Sequence, residues 1–281
     1  MDWSRTVHCL GDLHAGAITL ARLNAVSRDL ARLRTPALRL QIGDATEAGR
    51  AAEDELALEF LEGLPGRWVT ALGNHDVLRN ERTVADWARA YGQRSQNFAV
   101  ELGFVRLIVV GPDRTEPGKR AGRLSPATLA FLDRELERAD GDCWIACHWP
   151  LFHTVMGDPR LHYTSAMDAF YAKPRARIRE ILLEHRNAKL WISGHTHSPL
   201  SAPGLIRRAR LAPKRSIVAI NASALVGIGR RRNPRAPLCS LFLTHRPGRI
   251  EVRSRDHRRG EWRNIRGRRM VEIRPRSSLS G

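Results

Sequence analysis

No run of ~18 or more uncharged apolar residues occurs, so no transmembrane helix is expected. The first residues, MDWSRTVHCLGDLH, lack a basic start followed by an apolar stretch. Without that secretory pattern, a cytoplasmic location is the default expectation. Cysteine is scarce: Cys9, Cys143, Cys147 and Cys239 form neither a CxxC pair nor a regular framework. Reduced, buried thiols are expected, and a zinc site at Cys143 and Cys147 would lack its second pair. Aromatic residues make up only 6% of the chain, and after residue 200 only Phe242 and Trp262 remain. That argues against a base-stacking platform. Lysine is also rare, at 4 of 47 basic residues. No internal repeat and no low-complexity segment is present.

What is present is a chain of 281 residues with 42% hydrophobic content. This suits one large domain with a substantial core, spanning residues 1–281. The net charge of +18 is unevenly placed. Residues 1–200 carry 26 basic and 25 acidic side chains, whereas residues 201–281 carry 21 and 4. The basic C-terminal part suggests an anionic partner such as nucleic acid. The alternative is an arginine-rich composition that fills solvated strand faces.

Residues 1–200 alternate short apolar runs with helical periods, and residues 201–281 read as β only. Strands are predicted at 6–10, 37–42, 68–72, 98–102, 105–110, 143–147 and 190–192. Helices are predicted at 20–33 and 51–64, after Ser125-Pro126, and at 173–185. Further strands are predicted at 217–220, 238–244, 249–253 and 270–273, with 229–237 as an exposed loop.

Five of the early strands end in Gly, Asp, Asn or His. In open α/β sheets ligands bind at that edge. Asp12 and His14 are two residues apart, as are His195 and His197. In extended backbone such pairs point the same way and can grip one ion. Asp44 follows Gly43, and its two oxygens can bridge two cations. Asn74 offers a neutral carbonyl oxygen. His75 can point over the site, and Asp76 can accept a hydrogen bond from an imidazole and hold its tautomer. His148 ends the strand at 143–147. His195 and His197 would repel if protonated, and metal is a good reason to keep both neutral. Of the remaining polar residues, His153 and His162 could line a substrate mouth and Asn221 a pocket floor. His245 and His257 are expected to be solvated.

The order Asp12-Leu13-His14, Gly43-Asp44, Gly73-Asn74-His75-Asp76, His148, Gly194-His195-Thr196-His197 resembles the calcineurin-like metallophosphoesterase superfamily. The resemblance implies a four-layer α/β/β/α sandwich of mixed sheets, without a large cap domain. Residues 1–200 would form its metal-site part and residues 201–281 a basic β-rich part of the same domain. It also implies two divalent metal ions, Mn, Fe or Zn. Asp12, His14, Asp44 and His197 would hold one ion; Asp44, Asn74, His148 and His195 would hold the other. A hydroxide bridging the ions would attack phosphorus, and His75, oriented by Asp76, would assist the leaving group. The compact layout resembles small phosphodiesterase-type members, so the expected substrate is a phosphodiester, including cyclic nucleotides. Two alternatives stand beside it. One is a nuclease that holds DNA or RNA with the basic C-terminal part. The other is a non-catalytic protein-binding scaffold, which the complete ligand set disfavours.

Overall fold

A computed structural model describes residues 1–77, 82–113, 122–154, 170–198, 200, 205–226, 237–263, 265 and 270–272. In chain order its strands begin with β1 (Thr6–Leu10), β2 (Leu38–Gln41), β3 (Trp68–Thr70), β4 (Phe98–Glu101) and β5 (Arg106–Val109). They continue with β6 (Cys143–Ala146), β7 (Ala188–Ser193), β8 (Ile206–Ala212) and β9 (Arg215–Asn221). The last are β10 (Cys239–Arg246), β11 (Arg249–Asp256), β12 (Glu261–Arg263) and β13 (Met270–Glu272). The helices are α1 (Leu20–Leu30), α2 (Ala51–Glu62), α3 (Val84–Ala90), α4 (Pro126–Glu137) and α5 (Arg175–Glu184).

The strands form two mixed sheets. One runs β12-β11-β10-β1-β2-β3, with β13 also on β11; the other runs β4-β5-β6-β7-β9-β8. β1, β2 and β3 are parallel, as are β5, β6, β7 and β9. The late strands enter both sheets: β10 lies antiparallel on β1, and β9 lies beside β7.

Alternation along the central strands builds the layers. Val7, Cys9, Leu38 and Leu40 of one sheet meet Trp144, Ala146, Leu190 and Ile192 of the other in a buried core. The opposite faces are buried too. Leu10 and Phe242 pack with Leu23, Val26, Leu30, Phe60 and Leu61 of α1 and α2. Cys143, Ile145 and Trp191 pack with Leu129, Leu132, Leu136, Ile178 and Ile181 of α4 and α5. The architecture is thus a four-layer α/β/β/α sandwich. All four cysteines are buried and unpaired, and burial pushes the thiols of Cys143, Cys147 and Cys239 up to about 12.

Three elements lie outside the sequence expectation. α3 opens at Thr83, whose hydroxyl accepts from the Asp86 backbone while Asp86 reaches back, a capping box. β8 is an edge strand of alternating burial, so its arginine content hid it. β12 is three residues long. Of the predicted loop at 229–237, only Pro237 lies within the described residues.

His257 and His245 are buried, contrary to expectation. His257 ends a chain of hydrogen bonds on the helix-facing side of the first sheet. Arg39 Nη1 lies 2.8 Å from His8 Nδ1, and His8 Nε2 lies 2.7 Å from Ser240 Oγ. Ser240 Oγ lies 2.7 Å from His257 Nε2, and His257 Nδ1 lies 2.8 Å from Asp29 Oδ2. Guanidinium only donates and carboxylate only accepts, so with neutral rings every proton in the chain has one placement, running from Arg39 to Asp29. Both imidazoles are neutral in that arrangement, and burial lowers both pKa values. Ser240 is fully buried and already bonded to two rings, so the Asp29–His257–Ser240 arrangement is structural, not nucleophilic. Asp29 also takes both Nε and Nη2 of Arg255, at 2.9 and 2.5 Å. We expect Asp29→Ala to cost roughly 3–5 kcal/mol in urea unfolding, because it strands Arg255 and breaks the chain. A loss below ~1 kcal/mol, the size of an exposed ion pair, would contradict this account.

Candidate metal centre

The turns after β1, β2, β3, β6 and β7 place the predicted residues on one rim. Gly43 sits at φ 89°, and a Cβ there would stand 2.5 Å from His148 Nδ1, so only glycine lets these two loops meet. The extended-backbone geometry expected for Asp12–His14 and His195–His197 is not what brings them together. His14, Asp44, His195 and His197 all adopt left-handed backbone, with φ of 48°, 52°, 71° and 47°. Such conformations cost ~1–3 kcal/mol each in non-glycine residues and cluster at functional sites.

Asp44 is the centre of the arrangement. Its Oδ2 lies 3.5 Å from His14 Nε2 and 3.3 Å from His148 Nε2, while Oδ1 accepts the His75 backbone N–H at 2.8 Å. Candidate ligand atoms of Asp12, His14, Asp44 and His197 lie within 4.8 Å of one another, as do those of Asp44, His148 and His195. Asp44 belongs to both groups. Asp12 Oδ1 accepts from the His195 backbone N–H at 2.9 Å and stands 3.6 Å from His197 Nε2.

Tautomers aim the imidazoles inward. His14 Nδ1 lies 2.8 Å from Glu47 Oε2, and His148 Nδ1 lies 2.8 Å from the Ile42 carbonyl oxygen. Both partners only accept, so both Nδ1 atoms carry protons and each neutral ring presents an Nε2 lone pair. His14 Nε2 stands 3.0 Å from His197 Nε2, and His148 Nε2 stands 3.2 Å from His195 Nδ1. Asp12 Oδ2, Asn74 Oδ1 and His195 Nε2 are buried without any hydrogen-bond partner. Buried lone pairs left unpaired are costly, and cations satisfy them together. The donor set of carboxylate, amide oxygen and imidazole fits Mn²⁺, Fe or Zn²⁺.

Protonation follows the same geometry. Burial raises the Asp12 carboxyl. Burial also acts upward on Asp44, but His148, His75 and His14 outweigh it and hold the carboxyl well below its usual range. Burial would lower His148, yet the carboxylates of Asp44 and Asp12 push it up to about 9, so its Nε2 must give up a proton before it can serve as the neutral ligand. His14 and His195 are depressed, chiefly by burial, which favours the neutral ligand form.

The outer contacts correct one expectation. Asp76 does not orient His75. Its Oδ1 accepts from the Thr46 backbone and hydroxyl at 2.9 Å, and its Oδ2 from the Gly73 backbone at 2.8 Å. It ties the loop after β2 to the loop after β3. The partner of His75 Nδ1 is the Glu47 carbonyl oxygen at 2.8 Å. Sequence reasoning missed Glu47; its place three residues after Asp44 is a signal only once the loop is folded. Asn221 braces the last loop, accepting from Thr196 Oγ1 at 2.7 Å and donating to the Gly194 carbonyl at 2.6 Å. His153 is exposed beside an arginine-lined cleft, and His162 lies outside the described residues.

Glu47→Ala is expected to weaken cation affinity ~10–100-fold, because the carboxylate fixes the His14 ring and raises its basicity. Chelator competition checks this, and unchanged affinity would contradict it.

Many C-terminal arginines are engaged within the fold. Arg215 donates to the carbonyls of Leu182, His185 and Ala188, Arg263 pairs with Asp256 at 2.8 Å, and Arg253 lies 4.5 Å over Trp262. No helix among the described residues is long and apolar enough to cross a membrane.

The same features recur in known proteins. A probable cyclic nucleotide phosphodiesterase of Synechococcus sp. is 29% identical over 194 residues, 68% of this chain and 70% of that protein. A dimetal phosphatase from Danio rerio superposes with a TM-score of 0.63 at 14% identity, covering 94% of this chain and 99% of that one. Purple acid phosphatase PPD1 from yellow lupin seeds superposes with a TM-score of 0.62 at 12% identity, covering 92% of this chain and 52% of that one. These two share the fold. The sequence profile of the calcineurin-like phosphoesterases matches residues 5–199, so the chain belongs to that family of metal-dependent phosphoesterases.

Proposed function

We propose that this protein hydrolyses phosphodiesters, cyclic nucleotides among them, at a dinuclear centre held by Asp12, His14, Asp44, Asn74, His148, His195 and His197. One observation carries the reading. A single carboxylate, Asp44, stands between two groups of inward-facing imidazoles, 3.5 Å from His14 Nε2 and 3.3 Å from His148 Nε2. Divalent cations held by these residues would supply Lewis-acid polarisation of the phosphoryl oxygens and would activate water at neutral pH.

The residues of the chain do the rest. Asp12 and Asp44 provide negative charge that balances the cations. The left-handed turns at His14, Asp44, His195 and His197 preset the ligand geometry. His75 is 22% exposed at the side chain, and its ring centroid lies 4.6 Å from that of His14. It is suited to donate a proton to the departing alkoxide from Nε2. Asp76 acts on this apparatus as a positioning residue through Thr46 and Gly73.

The diester preference is supported by the Synechococcus relative, which matches this chain over 70% of its own length. One domain over residues 1–281 is supported by β10 and β9 pairing with the early strands β1 and β7. The nuclease alternative has less support, because Arg215, Arg255 and Arg263 bind within the fold.

The test is a panel of mono-, di- and cyclic phosphate esters assayed with Mn²⁺, Zn²⁺, Fe²⁺ and chelator. Diesters are expected to exceed matched monoesters by at least ~10-fold in kcat/KM, with chelator abolishing turnover. A preference of that size for monoesters would overturn the diester assignment.

A further inference from the structure

A second cavity lies on the outer face of the other sheet, where the N-terminal half of α5 packs on the edge strand β8. It measures about 440 Å³. Its described lining includes Arg175, Arg179, Arg210 and His153, together with Phe152 and Leu211. No carboxylate occurs among the described lining residues. None of these residues takes part in the metal centre.

Two of the guanidinium groups are anchored by backbone carbonyls. Arg179 Nε donates to the Leu211 carbonyl at 2.6 Å, and Arg210 Nη2 donates to the Pro213 carbonyl at 3.4 Å. The Arg175 guanidinium lies 5.3 Å over the Tyr171 ring. Each anchor holds one part of a fork-shaped group that carries five N–H donors. Neutral carbonyls fix the orientation of Arg179 and Arg210 without cancelling their charge. Arg179 and Arg210 therefore bring two positive charges to one concave site, and the start of α5 adds positive potential beside them. Such a site favours an anion that accepts several hydrogen bonds, and planar guanidinium forks match phosphate oxygens. Apart from His153, the rest of the described lining, Phe152, Ala176, Leu211, Ala212 and Pro213, is apolar. A volume of about 440 Å³ exceeds what a bare phosphate needs and falls in the range of small-molecule sites.

We propose that this cleft is a second binding site, separate from the metal centre, for a small molecule bearing a terminal phosphate group. The phosphate lies against Arg179 and Arg210, and the body of the ligand covers Phe152 and Leu211. The site binds; it performs no chemistry.

The experiment is calorimetric titration of the metal-loaded full-length protein with adenosine 5′-monophosphate and, separately, with inorganic phosphate. Wild-type protein is expected to show two classes of site for the nucleotide. In the double variant Arg179→Ala/Arg210→Ala one class weakens by ~10–100-fold, as loss of charge-assisted hydrogen bonds implies. Turnover of a small diester by that variant stays at the wild-type level, which also shows that it folds. Arg179→Lys/Arg210→Lys, which keeps charge but loses the forks, falls between the two. Nucleotide binding tighter than phosphate binding at this class assigns the apolar lining to a ligand body. Equal affinities would overturn the organic ligand in favour of the free anion. A single class in wild-type protein, or two unchanged classes in the double alanine variant, would overturn the site itself.

Discussion

Asp44→Ala is expected to empty both cation positions and to lower kcat/KM by at least ~10³-fold, since a two-metal clamp supplies several kcal/mol at ~1.4 kcal/mol per decade. Asp44 is common to the two groups of candidate ligand atoms, and it is fully buried between them. The substitution removes a carboxylate 3.5 Å from His14 Nε2 and 3.3 Å from His148 Nε2. It also frees the His75 backbone N–H, which donates to Asp44 Oδ1 at 2.8 Å. Two divalent cations held near one another would repel, and the negative charge of Asp44 between them would make their joint occupancy favourable. Asp44→Asn separates these roles. It can keep the hydrogen bond to His75, but it loses the charge, so it is also expected to lose metal. Metal content after dialysis, read beside kcat/KM, checks both variants. Retention of two metals with activity within ~10-fold of wild type would remove Asp44 from the bridging position.

His75→Ala is expected to behave differently: metal content is kept, while kcat falls ~10²–10⁴-fold, the usual worth of a general acid. The hydrogen bond of Nδ1 to the Glu47 carbonyl at 2.8 Å means that Nδ1 carries a proton in every protonation state that keeps the contact. The transferable proton is therefore the one on Nε2 of the imidazolium. The Glu47 carboxylate also stands 3.9 Å from Nδ1. Because the proton serves the leaving group, the loss should be largest for poorly stabilised alkoxides and small for nitrophenolate. An equal loss for both classes would deny His75 that role. Loss of metal in parallel with rate would make it a ligand.

The chemistry was more legible in the sequence than the geometry behind it. Gly, Asp, Asn and His at strand ends announced the rim, because a buried parallel strand is apolar on both faces and its polar residues stand out where it stops. The expectation for Asp12–His14 and His195–His197 rested on extended backbone. The chain instead turns through left-handed conformations at His14, His195 and His197, which spacing alone does not encode. Asp76 shows a second gap. Adjacency in sequence pairs it with His75, but Asp76 bonds Thr46 and Gly73 instead. Glu47 was invisible for the complementary reason: it reaches His14 across a loop from 33 positions away. His257 was expected in solvent, and no pattern in a basic tail reveals a buried partner 228 positions distant such as Asp29. The helix α3 was the opposite case, with its Thr83–Asp86 capping signal plain in the sequence but its short apolar face too weak to suggest a helix.

Anomalous diffraction from crystals of metal-loaded protein addresses the dinuclear centre directly. Two peaks ~3.5–4 Å apart are expected on either side of the Asp44 carboxylate, one facing His14 and His197, the other facing His148 and His195. A single peak, or two peaks neither of which touches Asp44, would contradict the account.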